Sequence, residues 1–391
     1  MPFLTDAVAA DAYEAVMLCT GPPDWLRSSV AGRCMMGSFR LCLPGLLASA
    51  DLPSIAHCIH HADASKLWMH LKLDPLCSNR PLAIPGATLP LMLLAESSST
   101  SSCLGLGRLL LQARADLNSR DEDGETPLHS AVAFSSPDFV RFLVQEAACV
   151  NVSSQLGATP LHYAATRGEE VVTILLNAKA AGLDTQCCYE DESHDGATPI
   201  LIASERNNLP VVQKLISFGA RGVNIPKANG VTAIVCAAWK GYLQLLELLL
   251  SVNTEDPGMP VLGHPWVSPL MAACDSGHVG SVSLLLAARA SIDAPCPEVG
   301  ETPLICAVRL GHAAVAQRLL EGNADPRDSW LSHPIFTPVY LAASSGRADI
   351  VKLLLAAHAS PAGVLGRTPL ETAARHGHEE VVELLVSVGM E

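Results

Sequence analysis

The sequence predicts a mostly α fold, a solenoid of stacked helix-turn-helix units with a helical cap at its N-terminal end. Three observations predict it. A short motif recurs eight times: GETPLHSAVA from Gly124, GATPLHYAAT from Gly157, GATPILIASE from Gly196, GVTAIVCAAW from Gly230, WVSPLMAACD from Trp266, GETPLICAVR from Gly300, IFTPVYLAAS from Ile335 and GRTPLETAAR from Gly366. Its proline positions, Pro127, Pro160, Pro199, Ala233, Pro269, Pro303, Pro338 and Pro369, fall 31 to 39 residues apart. Each motif opens two apolar stretches at helical spacing, and one such unit cannot bury its own apolar face, so neighbours must stack.

Each element follows from the motif. Thr126, Thr159, Thr198, Thr302 and Thr368 stand where a hydroxyl caps a helix start. Proline follows at the first helical position, where no amide partner is lost. An apolar residue comes next (Leu128, Leu161, Ile200, Leu270, Leu304, Leu370). An alanine stands three positions further on (Ala131, Ala164, Ala203, Ala273, Ala307, Ala373). That spacing puts both on one helical face, and the alanine lets a neighbouring helix approach.

Gly168, Gly241, Gly277, Gly311, Gly346 and Gly377 are placed to end the first helix in a left-handed conformation. Ser135 and Asn207 replace this glycine in two copies, and of these Ser135 suits that conformation less. A second helix follows in each copy, as in DFVRFLVQ, EEVVTILLN and LQLLELLL. Leu248 is expected to lie inside the stack.

A T-P-L-H-x-A motif at a period near 33 resembles the ankyrin repeat. On that resemblance, 121–391 holds eight repeats: 121–153, 154–192, 193–226, 227–262, 263–296, 297–331, 332–362 and 363–391. Residues 84–120, with LPLMLLAE and LGLGRLLLQARADLN, read as a divergent first repeat. Residues 1–83 carry no repeat motif and read as a helical cap, or as a small region of unknown role. The resemblance implies β-hairpin fingers between units. It also implies that the motif histidines, His129 and His162, bridge neighbouring fingers.

Composition excludes several functions. A net charge of −14 argues against general nucleic-acid binding, which relies on Lys and Arg. Thirteen scattered cysteines form no secreted framework, so a reducing compartment is expected, cytoplasmic or nuclear. The start, MPFLTDAVAADAYEA, has three acids and no basic lead, so no signal peptide is expected. The longest uncharged run, Pro257 to Cys274, holds four prolines and two glycines, which excludes membrane insertion there.

The candidates for chemistry are few. His57, His60 and His61 share a helical face beside Cys58, but the acid of a zinc-protease motif is absent. TQCCYEDESHD, Thr185 to Asp195, has adjacent cysteines without C-x-x-C spacing and reads as an enlarged acidic finger. GLGRLLL at Gly105 lacks the glycine and lysine of a phosphate loop. No enzyme, cofactor or metal is expected. A catalytic or metal site, if present, belongs to residues 1–83.

The resemblance implies a protein partner, one or more, held on the concave side by finger tips and the exposed part of the first helices. On the helix ridge these positions are Phe134, Arg167, Glu205, Arg206, Trp239, Lys240, Asp275, Arg309, Leu310, Arg375 and His376. On the fingers they are Glu122, Asp123, Glu125, Glu190, Asp191, Glu192, Asp195, Glu298 and Glu301. The ridge leans basic and the fingers acidic, so a groove with one wall of each sign is expected, against the plain alternative of a solvated surface. The first function is an adaptor or scaffold. The second is a regulatory or substrate-recognition subunit of a larger complex.

Overall fold

The computed structural model describes residues 55–82, 89–96, 100–188, 196–253, 268–296, 300–327, 336–362 and 368–388. Glu190, Asp191, Glu192, Asp195 and Glu298 lie outside them, as do residues 1–54. The chain divides into two compact units, Met1–Asp116 and Leu117–Glu391.

In the first unit, α1 (Ile55–His60) and α2 (Ala64–Leu73) form one helix pair, and α3 (Pro90–Glu96) and α4 (Thr100–Gln112) form another. First helix packs on first and second on second. Ile59, Leu67, Leu94 and Leu110 are fully buried between them. The turn after α1 is closed by the Asp63 amide donating to Cys58 O at 2.9 Å, with Ala62 at φ 53°. Asn79 ties the pairs together: its side-chain amide donates to Arg114 O at 2.9 Å, and its Oδ1 accepts from the Asp116 amide at 2.8 Å. Asn151 makes the same two bonds to Lys179 O and the Ala181 amide in the second unit.

The second unit repeats this arrangement. Its first helices are α5 (Pro127–Phe134), α7 (Pro160–Ala164), α9 (Pro199–Glu205), α11 (Ala233–Lys240), α13 (Pro269–Ser276), α15 (Pro303–Leu310), α17 (Pro338–Ser344) and α19 (Pro369–His376). Its second helices are α6 (Pro137–Gln145), α8 (Glu169–Asn177), α10 (Leu209–Ser217), α12 (Leu243–Val252), α14 (Val279–Ala287), α16 (Ala313–Glu321), α18 (Ala348–Ala356) and α20 (Glu379–Ser387). Each first helix packs on the next first helix, and each second on the next second. The motif alanines Ala131, Ala164, Ala203, Ala237, Ala273, Ala307, Ala342 and Ala373 are all fully buried at these contacts.

The hydroxyl caps form at Thr198, Thr302 and Thr368, and Thr232, Ser268 and Thr337 join them by accepting from Val235, Met271 and Tyr340 amides, whereas the Thr126 and Thr159 hydroxyls bond the motif histidines instead. In α5 and α7 the histidine completes the cap. Nδ1 of His129 accepts from the Thr126 amide at 3.1 Å, and its Nε2 bonds Ala158 O at 3.1 Å in the next finger. His162 does the same with Thr159 and Thr185. Burial pushes both imidazoles down to about 4, against two backbone bonds on each that act the other way.

Two expectations, on Gly168 and Leu248, are corrected. Gly168 is extended, at φ −161°, because α8 starts nine residues after the anchor proline where the other second helices start ten after it, so Gly168 serves as the N-cap of α8. Gly241, Gly277, Gly311, Gly346 and Gly377 do take positive φ, and so does Asn207. Ser135 is also extended, at φ −85° and ψ 176°, ahead of Pro137. Leu248 is half-buried on the flank of α12, while Leu245, Leu246 and Leu249 fill the stack.

The fingers are hairpin-like turns closed by one or two main-chain bonds. Examples are Ser154 to Ala158 O at 2.8 Å and Lys227 to Val231 O at 3.1 Å. The described residues contain a single β-bridge, Cys187 to Ala197. The insertion between α8 and α9 is therefore pinned at its base: Cys187 is fully buried, and the Cys188 amide donates to Leu156 O at 2.7 Å.

Candidate functional site

The candidate surface is the exposed C-terminal part of the first helices together with the fingers. Each first helix presents its last turn in the same register, because the proline starts all but one at the same position. Seven residues after that anchor stand Phe134, Arg167, Arg206 and Lys240, at or just past the ends of consecutive first helices. All four are exposed, Phe134 to 61%. Trp239 precedes Lys240 and is 52% exposed, although Ala237 and Ala238 beside it are fully buried.

The structure sorts the other predicted residues into three groups. Glu122, Asp123, Asp275, Arg375 and His376 are exposed; His376 Nδ1 bonds Thr372 O at 2.8 Å. Leu310 is half-buried. Glu125, Glu205, Arg309 and Glu301 are engaged within the protein. Glu125 accepts from the Tyr163 hydroxyl, and burial raises its carboxyl despite that bond. Glu205 is bridged by Lys227 at 2.7 Å, with both side chains largely buried. Arg309 forks onto Glu301 at 2.7 and 3.3 Å, and Glu301 is only 7% exposed. The Arg309–Glu301 pair neutralises two charges that the sequence assigned to opposite walls, and Lys227 removes the acid Glu205 from the ridge.

Lys227 and Tyr163 were not singled out from the sequence. Their partners lie 22 and 38 residues away, a distance at which one sequence gives no pairing signal. His57 and His61 bring their ring centroids to 4.1 Å, but no group of three metal-donor side chains converges among the described residues.

Four stretches, 91–187, 180–259, 263–329 and 332–391, match the family model described as Ankyrin repeats (3 copies). The chain belongs to the ankyrin-repeat family. Ankyrin repeats are protein-interaction modules. Among the similar proteins, the ankyrin repeat and KH domain-containing protein mask-1 of Caenorhabditis elegans is 31% identical over 40% of this chain and 6% of its own length. The putative ankyrin repeat protein YahD of Escherichia coli is 27% identical over 54% of this chain and 87% of its own. The glycerophosphocholine phosphodiesterase GDE1 of Candida albicans is 29% identical over 50% of this chain and 18% of its own. The chain thus spans a small part of mask-1 and of GDE1. No helix among the described residues is long and apolar enough to cross a membrane.

Proposed function

We propose that this ankyrin-repeat protein is a non-catalytic adaptor or scaffold that holds a protein partner on its first helices and fingers. The observation that carries this is Trp239. A tryptophan half in solvent, on a helix whose neighbouring residues are fully buried, is a ready anchor for an interface. Phe134 adds a second exposed aromatic, at the register position that Lys240 holds on α11. A regulatory or substrate-recognition role in a larger complex uses the same surface. It differs in that one partner stays bound at fixed stoichiometry. The work takes place in a reducing compartment, cytoplasmic or nuclear, where buried thiols such as Cys236, Cys274 and Cys306 stay reduced.

The test is affinity purification of the wild-type chain beside Trp239→Ala, with quantitative mass spectrometry of what each retains. A partner set depleted at least about tenfold on Trp239→Ala supports the surface, since an aromatic anchor contributes about 2 kcal/mol or more. Identical partner sets would place the interaction elsewhere.

A further inference from the structure

We infer that the segment held on this surface is acidic, with an apolar side chain at each end of its acidic run. The inference rests on the adaptor function proposed above and specifies the chemistry of its partner. Arg167, Arg206 and Lys240 occupy the same register position, seven residues after the anchor: Lys240 ends α11, Arg206 directly follows α9, and Arg167 lies in the turn after α7; these helices pack successively on one another. Packed helices lie about 8–10 Å apart, so the three cations form a line with one charge per repeat. Phe134 stands one repeat before this line, and Trp239 is at its far end.

Two carboxylates of the same repeats are already committed. Glu205, the carboxylate on α9, is held by Lys227 at 2.7 Å. Glu125, in the first finger, takes the Tyr163 hydroxyl. No carboxylate among the described residues lies within ion-pair distance of Arg167, Arg206 or Lys240. Arg167 is also pre-positioned: one of its Nη groups donates to Ser135 O at 3.1 Å, which holds the guanidinium against the preceding helix end. An ordered guanidinium loses less freedom on meeting a carboxylate.

The surroundings select a peptide over a polynucleotide. Glu122 and Asp123 are exposed on the finger that leads into α5, the helix that ends at Phe134, and the chain carries −14 overall. A continuous phosphate backbone would run into that repulsion. A short acidic run capped by apolar residues meets cations in the middle and aromatics at both ends. The acidic finger then opposes any shift of the run past Phe134.

The experiment is selection of random 16-residue peptides displayed on phage against the full chain, followed by binding measurements with the enriched synthetic peptides. The expected result is enrichment of peptides with an acidic run flanked by Phe, Leu, Ile or Trp. Binding should weaken at least about tenfold on Arg167→Glu/Arg206→Glu/Lys240→Glu, and likewise from about 0.05 M to about 0.5 M salt. The milder Arg206→Gln/Lys240→Gln variant should weaken it in the same direction. Unchanged thermal unfolding of both variants keeps the loss from being a folding defect, since all three side chains are exposed.

Neutral or basic peptides that compete at Trp239 would overturn the acidic partner while leaving the adaptor function intact. Peptides that bind with no dependence on Phe134, Trp239 or the cations would overturn both. Tight binding of single-stranded RNA, lost on the same charge reversal, would replace the acidic segment with a polynucleotide.

Discussion

His129 and His162 show how one side chain can serve two repeats. Each completes a helix cap through Nδ1 and reaches the next finger through Nε2, so each must be neutral with the proton on Nε2. Their folded values, about 4, lie below the ordinary 6.5 that applies to the unfolded chain. The unfolded chain therefore binds these protons first. Their contribution is fully present above about pH 6.5 and drains as pH falls toward about 4, at about 1.4 kcal/mol per pH unit for each histidine. Urea unfolding across that range should show this slope, and His129→Leu/His162→Leu should flatten it. Ser281 makes the opposite case. It is fully buried with no hydrogen-bond partner for its hydroxyl among the described residues, where equivalent helices bury Phe139, Val211, Leu245, Val315 and Ile350. Ser281→Val should raise stability by about 1–2 kcal/mol, measured as a higher Tm, because it removes an unsatisfied hydroxyl and adds apolar contact.

The elements were legible wherever local chemistry dictates them. Thr-Pro starts and glycine ends mark helices through cap bonds and positive φ, and neither needs tertiary context. Gly277 shows why glycine suits that position: φ is 77°, and an added Cβ would lie 2.7 Å from Nδ1 of His312. Gly277→Ala should cost more than about 1 kcal/mol by thermal unfolding. Gly168 and Leu248 were misread because their roles depend on turn length and helix rotation, which the motif does not specify. Leu249→Ala should cost about 2–5 kcal/mol, and Leu248→Ala clearly less; equal losses would contradict the burial pattern. The pair α1–α2 was read as part of a helical cap, and its repeat-like pairing was missed because it lacks the Thr-Pro start. The signals it does share, a left-handed turn at Ala62 and the bonds of Asn79, appear only in three dimensions.

At the scale of the molecule, the repeat array was plain in the sequence and its interaction face only partly so. Register alone identifies the exposed row Phe134, Arg167, Arg206, Lys240. It does not reveal that Glu205, Glu301 and Arg309 spend their charge inside the protein, because such pairing is a matter of neighbouring loops rather than period. Removing those pairs from the surface changes its character, from two walls of opposite sign to a basic line between aromatics. The most direct test is photo-crosslinking of the captured partner from a reactive amino acid placed at Arg206, beside a control placed at Gln213, which is exposed on the second helix of the same repeat. Partner crosslinks are expected from position 206 and none from 213. Crosslinks from 213 with none from 206 would contradict this placement.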